Sequence, residues 1–498
     1  MRRTIAVLGA LSLVSTPLFA QSEVSVQEAV SSVTPADVAA RIGVIAADSM
    51  RGRDTPSPEL DKTAQYIAGE FQRFGLQPGG DDGTFLQRYV IRQVALNVDA
   101  STVRIAGGAT WHAGNEFLLL GGTGGQVSGT PYLVSGGAGE APSLDDVPDR
   151  SILILAVPMQ SLRTMFAGLQ SKAPAAVFLV RERPEAQWER AAAAQRQPTA
   201  QVGDGSERDG RMFLELKPAT LAALLEQQGL DPTLASGAAD APMAITLLDG
   251  VTMEIDLAYE TVAETTAPNV VGVLEGSDPQ LKDEYLVYSA HMDHVGVDRA
   301  VNGDSIYNGA DDDASGTIAV VELAEAFAKL HPRPKRSIIF LTVSGEEKGL
   351  WGSAHFAANP TVPMEQIVAN LNADMVGRNW PDTIVVIGKE HSDLGETLNR
   401  VNAAHPELGM TAIDDIWPEE NFYDRSDHIN FARRGVPILF FFNGTHPDYH
   451  RPSDEVEKID AEKEARIVQL MLYLGIDIAN AAQRPKWNPE SYEKIVSE

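Results

Sequence analysis

The chain has 498 residues, of which 44% are hydrophobic and 22% charged, so it is long enough for two or three globular domains with large cores. Its formal net charge of −29 argues against a nucleic-acid partner, because phosphate binding needs a basic face. The sequence contains no cysteine, which excludes disulfides and thiolate ligands. Any metal ion must therefore be held by histidine and carboxylate side chains.

The first twenty residues have the pattern of a secretory signal peptide. Arg2 and Arg3 precede an apolar stretch, and small or apolar residues lead to Ala20, after which we expect cleavage. The stretch is too short, and too interrupted by Pro17, to anchor the chain in a bilayer. No later segment is long and apolar enough to cross one. The sequence thus predicts an exported protein, periplasmic or secreted, with no membrane anchor.

Two helices are predicted near the N-terminus. Thr34-Pro35 is typical of a helix start. The segment from Pro58 to Phe74 has apolar residues three and four positions apart and is followed by Gly75, which predicts a helix that ends there. This apolar stripe indicates packing over a core rather than chemistry.

From about residue 100 to 260 the sequence changes to Gly-rich turns and short β runs, such as Phe117 to Leu120 and Ser151 to Val157, with one helix near Ala219 to Leu225. Arg183 to Arg211 is predicted to be an exposed loop because it is rich in Ala, Gln, Arg and Gly. No catalytic constellation lies in this region. We interpret it as a β-rich domain inserted into the rest of the chain.

From about residue 265 onward, short buried strands alternate with helices, which predicts an α/β domain with a mostly parallel or mixed sheet covered on both faces. Acidic or histidine side chains follow four of these strands, a coincidence that core packing does not explain. The predicted strands are Tyr285 to Ala290, Ile338 to Val343, Ile367 to Ala373 and Val436 to Phe442.

The stretch from Tyr285 to Gly316 carries the first metal signal. His291 and Asp293 come where a buried strand ends, the place where open α/β sheets bind ligands. Three consecutive carboxylates, 311 to 313, would repel one another unless a cation compensates them. Nitrogen and carboxylate ligands suit zinc best, with manganese or cobalt as alternatives. The structural alternative is that Asp313 or Ser315 only caps the following helix.

A second signal is the pair Glu346 and Glu347, which follows a buried strand. Neighbouring side chains point in different directions, so one glutamate could bind metal while the other faces a substrate as a general base. The structural alternative is a solvated acidic turn, the usual setting of a Glu pair.

Six motifs, HMDH, GADDDASG, SGEEKGLWGS, NADMVG, YDRSDH and YHRPSDE, occur in the order found in the di-zinc aminopeptidase family. That family includes the bacterial leucyl aminopeptidases and has glutamate carboxypeptidase, the transferrin receptor and glutaminyl cyclase as relatives. The chain resembles it from roughly 265 to 485, and its β-rich insert resembles the family's protease-associated domain. The resemblance implies a three-layer α/β/α catalytic domain with a mixed central sheet. The expected segments are 1–20 signal peptide, 21–109 N-terminal helical part, 110–255 inserted domain and 256–498 catalytic domain.

The same resemblance implies roles for individual residues around two zinc ions. Asp312 would bridge the ions, Glu346 would be the general base, and Asp293 would orient a histidine ligand. Tyr423 matches a tyrosine that hydrogen-bonds the developing oxyanion in some members. The implied outer ligands are His291 and Asp374 for one ion and Glu347 and His450 for the other.

The function implied is a zinc-dependent aminopeptidase that removes N-terminal residues from peptides. A carboxypeptidase acting on acidic peptides is the nearest alternative and would need a basic residue such as Arg378, Arg425 or Arg451 near the substrate terminus. A glutaminyl cyclase and a receptor-like binding module are further alternatives, although the module would have lost the metal ligands that this chain keeps. Three histidines near the motifs, 294, 428 and 446, are left open between a role at the site and a structural one.

Overall fold

The structure is a computed structural model that describes residues 25–122, 124–138, 142–144, 147–162, 165, 173–203, 211–236 and 241–496. The predicted signal peptide, residues 1–20, lies outside the described residues. The chain forms two compact units. The smaller unit is Tyr89–Thr266, and the larger unit comprises the residues before and after it.

The larger unit is built on a mixed sheet. Its strands lie in the spatial order β14-β18-β15-β19-β22-β20-β21, and β18, β15, β19 and β22 are mutually parallel neighbours. Their bounds are β14 (Tyr259–Leu274), β15 (Tyr285–His291), β18 (Ser337–Val343), β19 (Ile367–Ala373), β20 (Thr383–Ile387), β21 (Thr411–Ile413) and β22 (Ile438–Phe442). The larger unit has three further strands among its described residues. One is β1 (Gln77–Pro78), and the other two, β16 (Gly296–Val301) and β17 (Asp304–Tyr307), pair with each other.

Helices cover both faces of this sheet. Tyr288 of β15 and Phe340 of β18 contact Phe327 on one face, whereas the alternate residues Val287 and Ile339 share a core with helices on the other face. The helices are α1 (Val26–Ser31), α2 (Pro35–Ile45), α3 (Pro58–Phe74), α6 (Gly316–Lys329), α7 (Trp351–Ala358), α8 (Leu394–Ala404), α9 (His428–Ala432), α10 (Ala461–Asn480) and α11 (Pro489–Val496). The predicted α/β class with three layers is confirmed.

Both predicted N-terminal helices are present. The Thr34 hydroxyl accepts a hydrogen bond from the backbone N–H of Asp37 and caps α2. Helix α3 has the predicted bounds, and Gly75 ends it with φ 79°, a left-handed conformation that favours glycine. Among the described residues, no helix is both long enough and apolar enough to cross a membrane.

The smaller unit has a six-stranded sheet, β12-β7-β8-β9-β11-β5, and a four-stranded sheet, β4-β3-β13-β6, with helices α4 (Glu185–Ala194) and α5 (Pro218–Gln227). A further strand, β10, pairs with β2. The bounds are β2 (Leu86–Leu96), β3 (Thr102–Ile105), β4 (Thr110–His112), β5 (Phe117–Gly122), β6 (Gly125–Gly129), β7 (Pro131–Ser135), β8 (Ile152–Ala156), β9 (Ala176–Val180), β10 (Thr199–Val202), β11 (Met212–Leu216), β12 (Ala244–Leu247) and β13 (Met253–Leu257).

The prediction of one exposed loop from Arg183 to Arg211 was wrong, because α4 and β10 lie within it. Alanine has the highest helix propensity, and four of the ten residues of α4 form an Ala run at its end. Trp188 fixes the helix to its unit. Its ring is buried and its indole N–H donates to the carbonyl of Gly114 at 2.7 Å.

Candidate metal centre

The parallel strands bring the predicted site residues to one edge of the sheet. His291 is the last residue of β15, Asp374 follows β19 directly, and Glu346 follows β18 after two residues. Because the carboxyl ends of neighbouring parallel strands meet at one edge, residues far apart in sequence converge there.

One group of ligand atoms surrounds the imidazole of His291. Its Nε2 lies 3.4 Å from Oδ1 of Asp312 and 3.7 Å from Oδ1 of Asp374. The other carboxylate oxygen of Asp374 accepts a hydrogen bond from the Ser426 hydroxyl at 2.9 Å, which fixes the carboxylate.

A second group lies on the other side of Asp312. Nε2 of His450 is 3.1 Å from Oδ2 of Asp312 and 3.3 Å from Oε2 of Glu347, and Nδ1 of His294 is 2.7 Å from Oε1 of Glu347. The two oxygens of Asp312 therefore face different groups. All five sequence-predicted metal ligands are brought together in this arrangement.

The remaining aspartates of the region hold the backbone. Asp313 accepts hydrogen bonds from the N–H groups of His291, Gly316 and Met375, so it fulfils the capping role at the start of α6 while lying beside the site. Asp311 instead accepts from the N–H of Gly377 at 2.7 Å.

Asp293 joins two strand ends. Its Oδ1 lies 3.7 Å from Nδ1 of His291, and its carboxylate accepts hydrogen bonds from the N–H groups of Gly345 at 2.8 Å and Glu346 at 3.3 Å. The Thr55 hydroxyl donates to the same carboxylate at 2.8 Å. Asp293 thus positions both His291 and the backbone of the neighbouring glutamate.

The adjacent glutamates differ in electrostatics. Burial raises the pKa of Glu346 well above its usual range, with the charge of His291 opposing the shift and Asp427 adding to it. For Glu347, burial and the charge of Asp312 oppose ionisation, but the neighbouring imidazoles of His294 and His450 lower its pKa to about 2. Glu346 therefore has the higher affinity for a proton.

The donor set fits a metal ion. Nδ1 of His294, Oδ2 of Asp312 and Oε1 of Glu347 are buried and have no hydrogen-bond partner within the described residues. Such atoms are costly to bury unless something compensates them. Imidazole nitrogen and carboxylate oxygen are the ligands that zinc takes when no thiolate is present.

A cavity opens over the two groups, lined by Glu346 and by apolar side chains. The structure does not bring Tyr423 to it. The Tyr423 ring packs edge-on against His391, with 4.6 Å between centroids, and its hydroxyl is buried. Tyr449 lines the cavity instead and stacks on His450 at 3.9 Å. Tyr423 is therefore not among the residues that line this cavity, and its oxyanion role stays a prediction from the sequence.

Two features of the site were missed from the sequence. Tyr449 directly precedes a predicted ligand, which is the signal that could have found it. His294, for which the sequence allows either a role at the site or a structural one, lies inside the second group. Of the other two open histidines, His428 stacks on Phe440, and Nε2 of His446 lies 3.2 Å from Oδ2 of Asp311.

The fully buried Arg53 connects the N-terminal segment to the ligand loops. Its guanidinium donates to the carbonyls of Met292, Asn308 and Gly309, and to that of Ile45 at the end of α2. Met292 lies between His291 and Asp293 in sequence, and Gly309 precedes the aspartate run.

Residues 269–475, which contain all of the predicted metal ligands and Glu346, match the sequence profile of peptidase family M28. This part of the chain is therefore similar to peptidase family M28. The resemblance indicated by the six motifs is confirmed.

Curated relatives of the M28 region share a modest identity with the chain. A "Probable zinc metalloprotease" of Pyricularia oryzae is 30% identical over 259 residues, which cover 43% of this chain and 50% of that protein. "Aminopeptidase YwaD" of Bacillus subtilis is 26% identical, covering 47% of this chain and 49% of that protein. The chain thus spans about half the length of these relatives.

Solved structures are also similar. The aminopeptidase from Aneurinibacillus sp. strain AM-1 is 18% identical with a TM-score of 0.48, and the alignment covers 93% of this chain and 97% of that chain.

Proposed function

We propose that the protein is a zinc-dependent aminopeptidase that uses two zinc ions to remove N-terminal residues from peptides. The observation that carries the proposal is that the two oxygens of Asp312 face two separate groups of ligand atoms beside the half-buried Glu346. The M28 match and relatives named as zinc metalloprotease and aminopeptidase support it.

In this proposal the groups described above hold the ions, with Asp312 shared between them. Bound zinc would supply an acidified water and a Lewis acid for the scissile carbonyl. The ligands implied by the sequence are His291 and Asp374 on one side and Glu347 and His450 on the other.

Glu346 is the proposed general base. Its raised pKa gives it the proton affinity to take a proton from the attacking water and to return it to the leaving amine. Asp293 keeps Glu346 in place through the backbone N–H and orients His291. Tyr449 lines the same cavity, and its hydroxyl is the proposed hydrogen-bond donor to the developing oxyanion.

The concentration of carboxylates favours binding of a free ammonium terminus, and hence an aminopeptidase. Of the three arginines considered for a carboxypeptidase, Arg378 pairs with Asp448 at 2.9 Å, whereas Arg425 lines the cavity. Because Arg425 could bind a free substrate carboxylate in the cavity, carboxypeptidase activity is the second candidate function.

A substrate panel tests this assignment. We expect turnover of aminoacyl anilides and unblocked peptides, and none of N-blocked peptides. Cleavage of N-blocked peptides that end in a free acidic residue would instead establish the carboxypeptidase. Cyclisation of free glutaminyl peptides without hydrolysis would establish the cyclase.

Two further parts of the proposal concern the rest of the chain. Residues 1–20 are proposed to direct export to the periplasm or medium, which sequencing the N-terminus of the natively expressed protein would test. The smaller unit is proposed to be a protease-associated domain that limits access of large substrates. Its removal should change the ratio of rates on long and short peptides.

A further inference from the structure

His294 is the last residue of the HMDH motif and lies three positions after His291. Its side chain is fully buried. The five metal ligands implied by the sequence do not include it.

The position of its ring matches a ligand position. Nδ1 of His294 lies 2.7 Å from Oε1 of Glu347 and 3.6 Å from Oδ2 of Asp312, while Nε2 of His450 lies 3.1 Å and 3.3 Å from oxygens of the same two carboxylates. Donor atoms around a tetrahedral zinc, each about 2.0–2.1 Å from the ion, are about 3.3–3.4 Å apart. One donor atom from each of the four residues lies within 4.8 Å of the other three, as binding of one ion requires.

The ring is also held in place. Gly309 lies against its face with φ +56°, and a Cβ at that glycine would be 2.5 Å from Cγ of His294. Only a residue without a side chain allows the ring to occupy this position at the start of the aspartate run.

Neither ring nitrogen has a hydrogen-bond partner within the described part of the chain. Nδ1 of His294 lies only 2.7 Å from Oε1 of Glu347, yet neither atom has a hydrogen-bond partner among the residues that the structure describes. The two atoms are therefore close together without the geometry of a hydrogen bond. A buried imidazole with both nitrogens unpaired is rare, because each unsatisfied polar atom costs about 1–3 kcal/mol. A ligand interaction would satisfy Nδ1.

We propose that Nδ1 of His294 binds the same metal ion as Asp312, Glu347 and His450. This ion would then have two imidazole and two carboxylate ligands, and the HMDH motif would contribute one histidine to each ion. The inference rests on the proposed two-metal function and adds a ligand to it.

Metal retention in variants is the first test. Purified wild type, His294→Ala and His294→Asn are titrated against a zinc chelator, and bound zinc is measured by elemental analysis. We expect both variants to lose affinity for one ion by more than about a hundredfold, beyond the roughly 10–100-fold typical of an outer hydrogen-bond partner. His428→Asn is the matched control, because His428 is equally buried but lies outside both groups, and it should retain zinc as wild type does.

The possible results distinguish failure of the His294 role from failure of the proposed two-metal function. Wild type with about two zinc ions and His294 variants of parental affinity would overturn the role of His294 while leaving the two-metal function intact. Recovery of affinity in His294→Asn but not in His294→Ala would also overturn it, because an amide N–H can replace a hydrogen bond to Glu347. Wild type without zinc would overturn the proposed function itself.

Wild-type protein provides a second test that does not depend on variants folding. A crystal structure of the zinc-loaded enzyme, with anomalous data at the zinc edge, should place Nδ1 of His294 about 2.0–2.1 Å from one ion. A separation above about 3 Å, outside any coordination distance, would overturn the inference.

Discussion

Buried acidic groups are compensated differently in the two units. In the smaller unit, Glu215 is fully buried and pairs with two guanidinium groups, at 2.6 Å to Arg181 and 2.7 Å to Arg183. In the larger unit, Asp312 and Glu347 converge with no lysine or arginine among their ion-pair partners in the described residues. A carboxylate paired with arginines can be explained as structure. Carboxylates that converge only with histidines call for a cation.

Removal of the metal should have the largest effect on activity, because the carboxylates of the larger unit would lose the cation that compensates them. We expect a chelator to abolish peptidase activity and to lower the thermal stability of the larger unit, because ligand binding to the native state stabilises it. Elemental analysis of active protein should give about two zinc equivalents per chain, the number proposed from the shared Asp312. Full activity after complete metal removal would contradict the proposal.

Glu346→Gln should have the next largest effect. This variant keeps the size of the side chain but removes the proton acceptor, so we expect a loss of roughly two to four decades in kcat with both ions retained. Glu347→Gln is the matched comparison and should instead weaken the binding of one ion, because an amide oxygen is a poorer ligand than a carboxylate. If Glu346→Gln lost metal and Glu347→Gln did not, the two roles would be reversed.

Tyr449→Phe tests which tyrosine acts at the site. We expect a decrease in kcat of roughly tenfold to a hundredfold, the worth of one hydrogen bond to a developing charge. Tyr423→Phe serves as the control and should keep near-parental kinetics, since its ring packs against His391 away from the cavity. Kinetics that respond to Tyr423 and not to Tyr449 would instead support the role of Tyr423 predicted from the sequence.

Glu215→Gln should act on stability rather than on chemistry. The amide cannot replace a charge held between two arginines, and we expect a loss of about 1–3 kcal/mol in the free energy of unfolding. Because Arg181 and Arg183 are partly exposed, water screens the pair and the lower end of this range applies best. Zinc content and kcat of the folded variant should not change.

The same pair predicts a small pH effect. Burial opposes ionisation of Glu215, but the hydrogen bonds from Arg183 and Arg181 prevail and lower its pKa below the usual value of 4.5. A group with a lowered folded pKa stabilises above its unfolded pKa and loses that contribution as the pH falls through the folded value. The stability difference between wild type and Glu215→Gln should therefore be constant from pH 7 to about pH 5 and shrink in more acidic solution. A difference that grew on acidification would contradict the assignment.

Periodic and ordered patterns made much of the fold predictable. The bounds of α3 followed from apolar spacing and a final glycine, and the α/β class followed from buried runs such as Ile367–Ala373. The loop prediction around Trp188 failed because composition was read without the propensity of the Ala run. The direction of the Tyr423 side chain was unpredictable for a different reason. A sequence motif places a residue near a site, but the side-chain direction depends on packing from distant segments.

Arg53 links the predicted metal centre to the N-terminal helices. Its one side chain bonds the end of α2 to the backbone of the HMDH motif at Met292 and to the start of the GADDDASG motif at Gly309, although no predicted ligand lies before residue 291. The ligand geometry is therefore coupled to the docking of the N-terminal helices, and local opening of those helices would release both loops together. A fragment limited to residues 269–475 would contain every predicted donor atom but would lack Arg53, whose hydrogen bonds hold the two loops in place.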